Sequence, residues 1–252
     1  MAQRIKAWLY RLLGRKRYLS LISQLFFWAY RTGALHGDPE YECHYYVQQL
    51  VEPGDWIIDI GANLGYYTVL FAEWTGPTGQ VYSVEPVPVY REILRQNVRS
   101  LSQVDVIPYA LGEEPATVQM GVPESADPHR HGHTQILSDA DDARRPETFE
   151  AEVRTPAALF GDVPRLDYVK CDVEGYEGVV LPAMRALLRE HRPIVQVEVA
   201  QDNRDSIYEM MEALGYQAYY VKEGERVAVQ APTDHTQGDW IFQPHPSSSP
   251  AA

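Results

Sequence analysis

Cysteine is scarce in this chain. Among 252 residues there are only Cys43 and Cys171, and neither belongs to a CxxC pair. That spacing argues against a disulfide framework or a zinc ribbon and suits a reducing compartment. Long apolar runs are missing too. The best candidate, YLSLISQLFF at 18–27, falls short of the roughly 20 residues that a bilayer span takes. It follows a basic stretch, as a signal peptide's apolar region would, but no small-x-small cleavage site comes after it. There is no solenoid-type repeat. Clustered basic residues are absent from most of the chain, whose net charge is −13, so a nucleic-acid partner is not expected.

What basic charge there is sits at one end. Seven of the 22 Lys and Arg fall within residues 1–37, which hold no acid at all. Residues 38–252 carry the other 15 against all 35 acids, a balance of −20. A body this acidic favours a cationic small ligand. Apolar residues at Ile5, Trp8, Leu9, Leu12 and Leu13, then at Ile22, Leu25, Phe26 and Ala29, recur at helical spacing with a polar and basic opposite face. Residues 1–40 therefore read as a basic amphipathic helical extension. It either packs on the body or a second subunit, as in a homo-oligomer, or brings residues 1–32 into peripheral contact with an anionic membrane. The expected location is cytoplasmic, with the inner membrane face as the peripheral alternative.

From residue 55 onward, β-rich runs alternate with amphipathic ones. Strands are expected at 55–62, 80–86, 104–112, 116–122, 166–173, 193–200, 217–223 and 239–244. Helices are expected at 63–76, 87–101, 174–191 and 202–216. Such alternation predicts an α/β, Rossmann-like fold: a mostly parallel sheet with helices on both faces. Ligands bind such sheets beyond the carboxyl ends of the strands. Residues 123–150 break the pattern with Pro, His and Asp and read as a variable loop. The tail 244–252 reads as disordered.

The stretch DIGANLGYYT at 59–68 forms the first strand-to-helix turn. Gly61 and Gly65 there let a ligand approach free backbone N–H groups at a helix start. The spacing is wrong for a dinucleotide fingerprint, because Asn63 stands where the middle glycine belongs and Tyr66 where the third does. Nor does a P-loop Lys-Ser or Lys-Thr follow. Glu85 closes the next strand, just before Pro86, where an acid accepts hydrogen bonds from a ribose diol. Together these features point to a nucleoside.

PGDWIIDIGANLGYYT, VEP, ALG, LDYVKCDVEGYEGVVL and VQVEV follow one another in this order. In that order they resemble the FkbM family of S-adenosylmethionine-dependent methyltransferases over roughly residues 41–243. The resemblance implies a class I methyltransferase domain, with a seven-stranded sheet whose last strand is antiparallel, and S-adenosyl-L-methionine as cofactor. It assigns cofactor binding to Asp59, Gly61, Asn63, Gly65, Tyr67, Thr68 and Glu85, with Ala110 near the adenine. Two segments depart from the family's pattern, PHRHGHTQIL at 128–137 and TPAALF at 155–160, and both bear on the acceptor.

Methyl transfer to a hydroxyl needs the nucleophile held in line with the sulfonium and relieved of its proton. Asp172, ending the KCDV strand, is the first candidate to orient or deprotonate the acceptor, or else to contact the cofactor. Glu198, ending VQVEV, is expected to face the same pocket. Glu177 reads as an acid at a helix start. His129, His131 and His133 alternate in one loop. They read as solvated loop residues, as metal ligands, or, for His133, as a catalytic base. Nothing in the sequence demands a metal. The expected acceptor is a small-molecule hydroxyl on a sugar, a glycolipid or a polyketide-type metabolite. An NAD-dependent oxidoreductase and a non-catalytic nucleoside-binding or membrane-associated scaffold are the rival readings.

Overall fold

The apolar strand before the glycine turn becomes the middle of an eight-stranded sheet. A computed structural model describes residues 2–122, 135–136, 147–199, 201–235 and 238–245. Its helices in chain order are α1 (Ala2–Arg31), α2 (Glu42–Val47), α3 (Tyr66–Thr75), α4 (Pro88–Asn97), α5 (Pro156–Phe160), α6 (Glu177–Ala183), α7 (Arg185–His191) and α8 (Arg204–Ala213). The first strands are β1 (Trp56–Ile60), β2 (Gln80–Val84), β3 (Val104–Ile107), β4 (Ala110–Leu111), β5 (Ala116–Val122) and β6 (Gln135–Ile136). The rest are β7 (Glu147–Arg154), β8 (Tyr168–Cys171), β9 (Ile194–Glu198), β10 (Tyr216–Lys222), β11 (Glu225–Ala228) and β12 (Asp239–Pro244).

The main sheet runs β11-β10-β12-β9-β8-β1-β2-β3. Strands β3, β2, β1, β8 and β9 are parallel neighbours, and β12 slots antiparallel between β9 and β10. The expected parallel sheet with an antiparallel last strand is therefore present. An eighth strand, β11, extends its edge. All four residues of β11 are exposed, so it has no buried face and leaves no alternation to read.

Two expected elements divide, and an expected loop is partly strand. The run 104–112 splits at Pro108, which cannot donate to a ladder, so β3 stays in the main sheet and β4 joins a second one. That second sheet, β4-β7-β5-β6, takes in residues of the expected loop 123–150, since β7 already starts at Glu147. In β7, Ala151 and Val153 are buried while Glu150 and Glu152 point out, the period-two pattern of a half-buried strand. The run 174–191 becomes α6 and α7, separated at Met184 just after Pro182, which lacks an N–H. His129, His131 and His133 lie outside the described residues, as does the tail from 246.

Both sheet faces are covered. Ile58, Ile60, Val169 and Val197 pack against Val180, Leu181, Leu188 and Met211 on one side. Ile57, Tyr168 and Ile241 meet Phe71 and Ala72 of α3 on the other. Helix α1 breaks at Gly14 (φ 72°, ψ 164°) and then lies along the body. Tyr18 and Leu19 bury against Tyr90 and Ile93 of α4, and Phe27 against Val69 and Leu94. Ion pairs from Lys16 to Glu92 and from Arg31 to Glu73, with a 2.8 Å bond from Gln24 Nε2 to Asn97 Oδ1, pin it there.

β1 and β8 converge at Gly61, whose φ is +79° and where a Cβ would stand 1.8 Å from the Asp172 carbonyl oxygen. Only glycine fits both constraints. Gly61→Ala is expected to cost about 3 kcal/mol or more, through backbone strain and a forced separation of the strand ends. A urea unfolding curve whose midpoint does not move would contradict this placement.

Candidate active site

The site is built where the parallel strands end. Beyond β1 the chain turns at once: Gly61 and Ala62 both donate to the Val84 carbonyl at 3.0 Å. Asn63 (φ 53°) and Gly65 (φ 89°) take left-handed conformations, and Gly65 caps α3. Glu85 sits at the end of β2, 3% exposed. Its two carboxylate oxygens accept from the N–H groups of Asn63 and Val87, both at 2.7 Å. Burial outweighs these bonds and pushes its pKa up to about 7. Asn63 Oδ1 is buried beside it without a hydrogen-bond partner. Gly61, Asn63, Glu85, Met120 and Asp172 line a pocket of about 150 Å³. A carboxylate held at its back and an unpaired amide oxygen fit the ribose diol of a nucleoside.

Asp172 also belongs to a second, larger cavity of about 790 Å³. Its polar floor is Lys170, Asp172, Glu198 and Asp239, its side wall is Cys43 and His44 of α2, and its roof is the inner face of α1. Lys170 Nζ lies 2.9 Å from Asp172 Oδ2. Burial would lower the Lys170 pKa, but attraction to Asp172, Asp59 and Asp239 prevails and raises it. Burial would likewise raise Asp172, yet the Lys170 charge and a hydrogen bond with Glu198 bring it below the usual range. Glu198 moves the other way, to about 9, driven first by the Asp172 charge and then by burial. At neutral pH the two form an acid–carboxylate pair, with Glu198 donating to an ionised Asp172.

An ordered chain of polar groups supports the wall. Tyr168 Oη donates to Gln196 Oε1, and Gln196 Nε2 donates to Tyr67 Oη, both at 3.0 Å. Tyr67 Oη lies 3.3 Å from His44 Nδ1, and the two rings stack at 4.0 Å. Burial and the neighbouring Lys170 lower the His44 pKa to about 3, so its imidazole is neutral.

Gly61, Asn63, Glu85 and Asp172 thus share the small pocket, and Asp172 and Glu198 share the cavity floor. The other expected cofactor residues sit elsewhere. The Tyr67 ring turns to the larger cavity because the first turn of α3 faces α2. Asp59 and Thr68 are buried behind it, Thr68 Oγ1 donating to Asp59 Oδ2 at 2.6 Å. Gly65 is filled from behind by Leu94, 2.7 Å from where a Cβ would be. Ala110 is buried in the second sheet, paired with Val153. His133 lies outside the described residues. Glu177 accepts from Val173 and Gly175 N–H, closing the turn after β8.

The sequence reading did not single out His44, Gln196 or Asp239. Asp239 carried a readable signal. An antiparallel strand enters a sheet where the parallel ones leave it, so the first residue of DWIFQP faces the end of β9, in register with Glu198.

Residues 59–218 match the family model described as the methyltransferase FkbM domain. A 79-residue stretch, 31% of this chain, is 34% identical to a protein-L-isoaspartate O-methyltransferase of Aeropyrum pernix and covers 29% of it. A 101-residue stretch, 40% of the chain, is 28% identical to the enzyme of the same name from Ignicoccus hospitalis and covers 43% of it. The matches thus span less than half the length of these curated relatives. Among solved structures, a methyltransferase FkbM of Methylobacillus flagellatus superposes over 93% of this chain and 59% of its own, at a TM-score of 0.51 and 17% identity. That likeness shows a shared fold.

The acid pair sets the sign of a pH effect. Glu198 keeps its proton in the folded state up to about pH 9 but loses it near 4.5 in the unfolded chain. Its contribution is fully present below pH 4.5 and declines as pH rises towards 9. Glu198→Gln keeps a donor to Asp172 without the titration, so its stability should fall less over that window. Urea midpoints of wild type and variant tracking each other in parallel across the window would contradict the pairing.

Proposed function

The chain belongs to the FkbM methyltransferase family, and on that premise we propose that it transfers a methyl group from S-adenosylmethionine to a hydroxyl oxygen. The observation that carries this reading is the junction at Asp172. One residue borders both the small pocket at Glu85 and a cavity large enough for a second small molecule.

When bound, S-adenosylmethionine supplies a methyl group made electrophilic by its sulfonium. Glu85 accepts the ribose hydroxyls, backed by the N–H groups of Asn63 and Val87. The acidic surround, with Asp172 ionised, favours a cationic ligand. Asp172 also orients the acceptor hydroxyl and takes its proton at a carboxylate oxygen. A weak base is enough, because the hydroxyl becomes strongly acidic as its oxygen bonds to carbon. Lys170 and protonated Glu198 keep Asp172 ready for that role before the reaction. His44 and Tyr67, held by Gln196, form the wall that positions the acceptor and excludes water.

The acceptor in this reading is a sugar, glycolipid or polyketide-type metabolite. The cavity supports an amphiphilic one. Its floor is charged, while Ile22, Phe26, Tyr41 and Tyr66 present apolar and aromatic surface above.

Calorimetric titration with S-adenosylmethionine, S-adenosylhomocysteine and NAD, each alone, tests the cofactor. The two adenosyl ligands should bind and NAD should not; the reverse result would restore the oxidoreductase reading. Because Glu85 binds the diol as a carboxylate, affinity should weaken as pH falls below about 7. Glu85→Gln should bind about ten- to a hundredfold more weakly and lose that pH dependence. With a labelled methyl donor, hydroxylated lipids and sugars should be methylated and an isoaspartyl peptide should not. Asp172→Asn should lower turnover by about 10²- to 10⁴-fold; an unchanged rate would remove Asp172 from the chemistry.

A further inference from the structure

Helix α1 carries two apolar faces, and only one of them packs on the body. Tyr18, Ile22 and Ala29 line the cavity, while Leu19, Phe27 and Tyr30 are buried. The other face of the segment after Gly14 is bare: Leu25 is 53% exposed and Trp28 63%, with Leu21 at 37%; before the break, Trp8 at 60% and Leu12 at 63% are bare as well. At 100° per residue, Leu21, Leu25 and Trp28 share one stripe directly beside the Tyr18–Ile22–Ala29 face. Leu25 belongs to both, being exposed and also part of the cavity lining. The bare stripe and the cavity mouth are thus continuous. Arg17 borders the stripe on its far side, and Arg11 lies beside Trp8 and Leu12.

Charge decides what can cover this face. Residues 1–37 hold seven basic residues and no acid, so two copies meeting along the stripe would bring like charges together. An anionic bilayer answers both features, taking the apolar side chains into its interface and pairing Arg11 and Arg17 with headgroups. The rest of the chain, at −20, is repelled by such a surface, which leaves α1 as the side that faces it. Among the described residues no helix is long and apolar enough to cross a membrane, so α1 lies on the surface. An exposed tryptophan on each side of the Gly14 break, Trp8 and Trp28, suits the headgroup level.

We propose that α1 seats the protein on an anionic bilayer and that the cavity it roofs draws an amphiphilic acceptor out of that bilayer. The acceptor's apolar part would leave the membrane past Leu25, Ile22 and Phe26, and its hydroxylated head would reach Asp172. This second half rests on the methyl-transfer reading; the first does not.

The seating is tested by co-sedimentation with vesicles of phosphatidylcholine alone or with phosphatidylglycerol added. The full chain should sediment with the phosphatidylglycerol vesicles only, less at high salt, with a blue shift in tryptophan emission. The double variant W8E/W28E, changed at exposed positions outside the cavity, should lose sedimentation while keeping its unfolding midpoint and its affinity for S-adenosylmethionine. A wild type that ignores phosphatidylglycerol vesicles, or a variant that still binds them, overturns the seating. So does a wild-type dimer in light scattering that the variant dissolves without any vesicle binding, since a second copy would then be the occupant. For the acceptor, label from the methyl donor should enter hydroxylated glycolipids in the vesicles. Label entering only the free headgroup sugars overturns bilayer delivery but leaves methyl transfer standing. Absence of S-adenosylmethionine binding defeats methyl transfer itself.

Discussion

The buried ammonium of Lys170 is the charge around which this site is arranged. The sheet places Asp59 beside it on β1, Asp172 at the end of its own strand and Asp239 at the start of β12. Three acids gathered from three strands would be prohibitive without a cation among them. With it, the acid cluster supplies its own counter-charge from within the sheet. Lys170 lies 4.8 Å from the Tyr67 ring centroid, so it also faces the aromatic wall of the cavity. It helps keep His44 neutral and Asp172 ionised.

The two halves of the site have different characters. In the small pocket, Glu85 is tuned by burial against backbone N–H groups. On the floor of the larger cavity, Asp172 and Glu198 are tuned against each other, one held low and one raised. Two carboxyl groups at neighbouring strand ends thus acquire different proton affinities through their environments alone. The helix that roofs the cavity brings Lys6 to its lining. It contributes apolar surface on one side and basic charge on the other, a division suited to a boundary between water and lipid.

The parts legible in the sequence were local ones. The glycine turn, Glu85 before Pro86 and the acids ending β8 and β9 each follow a short apolar run, and a strand end is visible wherever such a run stops. Element boundaries were harder. Pro108 and Pro182 divided runs whose apolar pattern looked continuous, and β11 had no buried face to betray it. Tyr67 shows why site residues slip. It stands in the glycine-turn motif, yet the helical twist of α3 carries its ring away from Gly61 and onto His44.

By itself, then, the sequence determined the strand–helix order, the glycine turn and the charge asymmetry of the N-terminal arm. Each is written in neighbouring residues or in composition. Only the tertiary structure decided the larger cavity. Its members come from positions 43–44, 170, 172, 198 and 239, with α1 above them. They meet because β12 enters antiparallel between β9 and β10, and because α1 bends at Gly14 and lies back over α3 and α4. Strand order and helix docking are long-range outcomes of burying two sheet faces at once, and no short stretch of chain records them.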